Sequence, residues 1–191
     1  MNWGIVVEGD RDKAAYPELI RKIRNDVGVV LAVPCENDVK LMKHFVGWLK
    51  YFEWHAKIHV DKALVIRDSD CEDSIVWERR MGEILERCRF TPRFPVHFHA
   101  TKCELESWLL ADEQAINSVA RSRGKAGIVA VVSVQLESHR DAKELFRKGI
   151  SKVGLPADPK VYQEIAGAAS ITRIGERCPQ FEHFRESVLA C

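Results

Sequence analysis

The sequence predicts an α/β fold: a mostly parallel central sheet of about four strands with helices on its faces, followed by a mainly helical C-terminal extension. Three observations predict it. Four short apolar runs rich in β-branched residues lie at 3–7, 29–33, 63–67 and 95–100, with the length and composition of buried strands. The stretches between them repeat their apolar residues at helical spacing. Beyond residue 120 the alternation stops, and the remaining apolar residues recur mostly at helical spacing.

Taken in order, the first run, Trp3–Val7, is followed by Ala14, Ala15, Leu19, Ile20 and Ile23 on one helical face and Arg21, Lys22 and Arg24 on the other. This is an amphipathic crossover between parallel strands. After the second run, Val39, Leu41, Met42, Phe45, Val46, Leu49 and Phe52 mark a second helix; after the third, Val76, Met81, Ile84 and Leu85 mark another. The fourth run leads into a helical stretch from Leu105 through Trp108 and Leu109 to about Val119, interrupted by the glycines at 124 and 127. Residues 127–136 are apolar enough for an extra strand or a buried loop. Helices are expected at 141–152 and 158–174, with Pro156 and Pro159 marking the turn between them, and the tail is expected to be helical. The expected organisation is an α/β core over 1–120 and a helical extension over 121–191 packed on it.

Composition narrows the class. Hydrophobic residues make up 46% and charged residues 30% of 191, which excludes a disordered chain and leaves no apolar run long enough to span a bilayer. The N-terminus lacks the pattern of a signal peptide, so the expected address is cytoplasmic, with no membrane partner. The six cysteines, at 35, 71, 88, 103, 178 and 191, form no C-x-x-C pair, and are expected to be reduced thiols. A net charge of +1 does not advertise a polyanion partner. Between 121 and 160, however, nine Lys or Arg stand against four Asp or Glu, a stretch that suits either a phosphate backbone or a solvated helix face.

The chemistry lies in the acids. In open parallel sheets ligands bind at the carboxyl ends of the strands. Here the first strand runs into Glu8, Gly9, Asp10, Arg11 and Asp12, and the third into Asp68, Ser69 and Asp70, followed by Glu72 and Asp73. Carboxylates gathered at one edge call for a cation or a shared proton, and oxygen ligands favour Mg²⁺ or Mn²⁺. Asp68 and Asp70, two apart at a strand end, can point the same way, and Glu8 and Asp12 lie one helical turn apart. Gly9 suits a sharp exit from the strand. Asp10, Glu72 and Asp73 are read as helix caps and first-turn charges.

The Glu8-Gly9 pair after the first strand and the Asp68-Ser69-Asp70 motif after the third resemble the Toprim domain of topoisomerases, DnaG-type primases and OLD-family nucleases. Glu8 to Asp12 is similar to the E-x-x-x-D form of the OLD nucleases. The segment from Glu104 to Asp112 and the tail from Arg177 to Phe181 resemble an uncharacterised bacterial Toprim-like family. The resemblance implies a Rossmann-like three-layer sandwich carrying a Mg²⁺ (or Mn²⁺) site. Asp68 and Asp70 would hold metal, Glu8 would be ligand or general acid/base, and Asp12 a further ligand. It implies nuclease or nickase chemistry on nucleic acid. The basic group needed for the leaving oxygen has Lys102, Lys125 and Lys143 as candidates, which are also the candidate nucleic-acid contacts.

Other residues compete for attention. Glu106 suits either catalysis or the positive end of a helix. Trp108 is expected to be a packing residue. His97 and His99 share one strand face and could bind a transition metal if a third ligand arrived, though none is evident. A phosphoacceptor receiver domain also places acids after its first and third strands, but it needs a fifth strand. The stronger alternative is a non-catalytic Mg²⁺-dependent nucleotide- or nucleic-acid-binding module working with a partner such as an ATPase.

Overall fold

A computed structural model of the chain describes residues 1–130 and 135–190. Four strands, β1 (Trp3–Val7), β2 (Val30–Pro34), β3 (Lys62–Asp68) and β4 (Val96–Thr101), form one sheet in the order β2-β1-β3-β4 with every pairing parallel. The helices α1 (Asp10–Ile23), α2 (Asp38–Trp54) and α3 (Ser74–Arg87) alternate with them. The strand periodicity decides which residue faces which layer. Trp3, Ile5 and Val7 of β1 and Leu64 and Ile66 of β3 pack with Ala15, Tyr16, Leu19 and Ile20 of α1. Val6, Ala63 and Val65 pack with Leu41, Phe45, Leu49 and Phe52 of α2 and Met81 of α3. Two apolar clusters on opposite faces of one sheet make a three-layer sandwich.

Gly4 belongs to the second face, where an added Cβ would lie 2.5 Å from Cδ2 of the buried Phe52 ring. Gly4→Ala is therefore an overpacking change. It is expected to cost about 1–3 kcal/mol, read as a lower denaturant midpoint at unchanged slope.

The remainder of the chain is helical: α4 (Leu105–Leu110), α5 (Glu113–Ser122), α6 (Ala142–Lys152), α7 (Pro159–Ala168), α8 (Ile171–Arg177) and α9 (Phe181–Leu189), with a 3-10 turn at Leu136–Ser138. Two stretches expected to be continuous helices are broken. Asp112 ends the first by accepting from the N–H groups of Gln114 and Ala115, and Ser170 ends the second by accepting from Arg173 N–H at 3.3 Å. Asp112 also accepts from Ser170 N–H at 2.7 Å, so one buried carboxylate joins both breaks. The ambiguous stretch 127–136 has no regular element at 127–130; 131–134 lies outside the described residues.

The helical segments pack on the α1 face and share its apolar cluster, with Trp108, Phe146, Tyr162, Phe181 and Phe184 fully buried in it. Trp108 is thus a core residue. Lys62 Nζ ties α9 to the sheet, donating to the Ser187 carbonyl at 3.0 Å while lying 4.8 Å from the Trp3 ring centre. None of the described helices is long and apolar enough to cross a membrane.

Candidate functional site

β1 and β3 are the inner strands of the sheet, so the residues that follow them meet at its carboxyl edge. Glu8 and Asp68 are joined there directly: Glu8 Oε1 accepts from Asp68 N–H at 2.9 Å. Asp12, in the first turn of α1, accepts from Gly9 N–H at 2.8 Å and so closes the start of that helix. Gly9 itself is extended, with φ −140, a conformation open to any residue; the sharp-turn reason for a glycine does not apply. Glu106, 3% exposed in the first turn of α4, accepts from Tyr162 OH at 2.8 Å.

These four acids line one cavity of about 500 Å³ together with Asp10, Glu36 and Asp38, against the cations Arg11 and Lys143. The charge imbalance appears in the acids' proton affinities. Burial, opposed by the Asp68 N–H bond and reinforced by Asp12, pushes Glu8 from 4.5 to about 7. Burial and then Glu106 push Asp12 from 3.8 to about 6. Asp68 is raised well above the usual carboxylate range by burial first, then by Asp12, Glu8 and Glu106. Its carboxylate accepts no hydrogen bond from any described donor. Against the opposing effect of its burial, Glu106, Glu104 and Asp68 raise the pKa of Lys143.

Asp70, expected to pair with Asp68, does not line this cavity. β3 ends at Asp68, so strand alternation no longer carries the second acid to the same side. Asp70 instead turns at φ +50 and its side chain is 69% exposed, 3.9 Å from the Arg67 guanidinium. Asp70→Asn is accordingly expected to leave any Mn²⁺-induced rise in melting temperature nearly intact, which a thermal scan with and without Mn²⁺ checks.

Of the three candidate lysines, only Lys143 lines the cavity; its Nζ lies 3.3 Å from Glu104 Oε1. Lys102 donates to the Cys71 and Glu72 carbonyls, holding the turn after β3. Lys125 lies against Gly154, between α5 and α6. Asp73 caps α3 through Ile75 N–H, and Glu72 accepts from Trp77 Nε1, while Asp10 stands in the first turn of α1 and on the cavity wall.

Two features were missed from sequence. Arg67 is 2% exposed, stacks 3.6 Å from the Trp77 ring centre, donates through Nε to the Asp68 carbonyl and leaves Nη1 without a hydrogen-bond partner among the described residues. Its charge acts on Glu8. The signal was an arginine ending an apolar strand, a costly placement unless its charge is used. Cys71 and Cys103 are joined in a disulfide between the turn after β3 and the end of β4, correcting the expectation of six reduced thiols. Their separation in sequence conceals that parallel neighbours bring both strand ends together.

All the acid donors are oxygens, which fits Mg²⁺ or Mn²⁺. Glu8, Asp12 and Glu106 each use one oxygen in the bonds above and leave the other without a hydrogen bond among the described residues. No three of these carboxylates bring oxygens within 4.8 Å of one another.

No protein-family model and no curated protein matches the sequence. Among solved structures the chain is similar to the C-terminal region of the Xanthomonas campestris pv. campestris OLD protein, with 14% identity and a TM-score of 0.46 over 98% of this chain and 96% of that one. It is also similar to the C-terminal region of the Burkholderia pseudomallei OLD protein, with 16% identity and a TM-score of 0.47 over 97% and 98%.

Proposed function

We propose that the chain carries out metal-dependent phosphodiester chemistry on nucleic acid, as a nuclease or nickase, at the carboxylate-lined cavity. The observation that supports this most is Asp68: a carboxylate at the end of an inner strand, without a hydrogen bond from any described residue, in the field of Glu8, Asp12 and Glu106. Such a group is costly to hold ionised unless a cation shares the cavity. Glu8, Asp12 and Asp68 would hold Mg²⁺ or Mn²⁺, with Glu106 beside them. When bound there, the ion would supply Lewis-acid polarisation of a phosphate oxygen.

The chain's own residues supply the rest. Glu8, pushed up to about 7 without the ion, would give up its proton on binding it. Lys143, fixed by Glu104, offers a positive charge to a phosphate or to a leaving oxygen on the cavity wall. Tyr162 holds Glu106 in place through its hydroxyl.

The test is direct. Purified protein is incubated with single- and double-stranded DNA and RNA in Mg²⁺ and in Mn²⁺, and cleavage or nicking that chelator abolishes is expected. Protein inert on all four substrates in both metals, yet binding them or nucleotides when metal is present, would replace this reading with the non-catalytic module that serves a partner such as an ATPase.

A further inference from the structure

A second group of titratable side chains meets on the other side of β3 from β1, where α3, the edge strand β4 and α9 come together. Glu78 belongs to α3, His99 to β4 and His183 to α9, and one ligand atom from each lies within 4.8 Å of the other two. Glu78 Oε2 is 2.9 Å from His183 Nε2, and Glu78 Oε1 is 3.6 Å from His99 Nδ1. The two imidazole ring centres are 5.4 Å apart.

Part of this arrangement has a structural explanation. Among the described residues β4 has a neighbouring strand on one side only, and Glu78 Oε1 satisfies the Ala100 N–H at 3.0 Å. His183 in turn pairs with Glu78. His99 has no such explanation. It is 1% exposed, and neither ring nitrogen has a hydrogen-bond partner among the described residues. Buried polar groups are rarely left so, and each exception calls for a cause such as a missing ion. Burial pushes the imidazole pKa down to about 3, leaving the neutral ring that ligates metal.

We infer that Glu78, His99 and His183 bind a divalent transition-metal ion of the zinc class, which fastens α9 to the sheet edge. Two imidazole nitrogens and one carboxylate oxygen are a zinc donor set with a fourth position left open. Two atoms each bonded to a tetrahedral ion at zinc distances lie about 3.3–3.4 Å apart, between the 3.0 and 3.6 Å that separate Glu78 Oε1 from His183 Nε2 and His99 Nδ1. His183, with 42% of its side chain exposed, gives the ion an entry path and leaves room for a water. The Ala100 N–H on Glu78 is the kind of outer contact that orients a ligating carboxylate. Nitrogen donors favour this class of ion over Mg²⁺, whereas the acidic cavity offers only oxygen. The site stands independently of the reading of that cavity.

The full chain is stripped with chelator, returned to buffer with saturating Mg²⁺ so that the acidic cavity does not compete, and titrated with Zn²⁺ by calorimetry and with Co²⁺ by visible absorption. Uptake of a single tight ion is expected, with d–d bands but no thiolate charge-transfer band, and with a higher melting temperature. His183→Gln, at a half-exposed position that keeps the fold, should weaken the affinity roughly tenfold or more. Glu78→Gln should act in the same direction, while His97→Gln, outside the cluster, should bind as wild type does. No uptake by the wild type overturns the inference, as does unchanged affinity in both His183→Gln and Glu78→Gln or a Co²⁺ spectrum carrying thiolate bands.

Discussion

Replacing Asp68 with Asn is expected to remove the stabilisation conferred by Mn²⁺ while leaving the chelated protein at least as stable as wild type. The two halves of this result have separate causes. Without metal, the Asp68 carboxylate receives no hydrogen bond from the described residues and faces the negative fields of Asp12, Glu8 and Glu106. An amide of the same shape loses no partner and relieves repulsion. With metal, an ion that binds only the folded state stabilises it by about 2.7 kcal/mol at a hundred times its dissociation constant, or roughly 5–10 °C for a chain of this size. Asp68→Asn removes an oxygen ligand and should lose most of that gain, along with about 100-fold or more of any cleavage rate, since outer-contact losses alone reach that scale. Paired thermal scans in chelator and in Mn²⁺ check it. Asp68→Asn destabilised in chelator but retaining the full Mn²⁺ rise would make Asp68 a structural residue. Asp70→Asn serves as the comparison, because its exposed carboxylate lies outside the cavity.

The contrast between Asp68 and Asp70 shows where sequence reading works and where it stops. The strands were legible because β-branched apolar runs do one thing in a buried parallel sheet, and Trp3–Val7 follows from them. The position of Glu8 and Asp68 at adjacent strand ends follows too, since chain order and a parallel sheet leave few other places for them. Asp70 lies apart from Asp68 because alternation holds only while the backbone is extended, and the residue at which a strand ends is set by a turn that no periodicity encodes. Glu106 reaches the cavity through a helix that packs by Trp108 and Leu109, a long-range contact invisible to spacing. His99 was recognisable as an unusual strand residue, but Glu78 and His183 come from helices distant in sequence, and only packing brings them to it. The Cys71–Cys103 bond is of the same kind.

The acidic cavity should also make the metal-free protein less stable as pH rises through neutrality, the reverse of ordinary acid denaturation. Glu8 is raised from 4.5 to about 7 and Asp12 from 3.8 to about 6. Between the unfolded and folded values the folded chain holds more protons than the unfolded one, so the unfolding free energy falls as pH increases. The stabilising contribution is complete below the unfolded values and is lost as pH passes the folded ones. One unit of displacement is worth about 1.4 kcal/mol, which makes the loss on the order of 3 kcal/mol for Glu8 alone. Melting temperature in chelator should therefore decline from about pH 5 to about pH 8, and Glu8→Gln, whose amide oxygen can still accept from Asp68 N–H, should flatten the decline. Protons and Mn²⁺ compete for the same oxygens, so the Mn²⁺-induced rise should grow over the same range. Stability in chelator that is level or increasing from acid to neutral pH, together with a Mn²⁺ response indifferent to pH, would show that these carboxyls are not the ones that carry the cation.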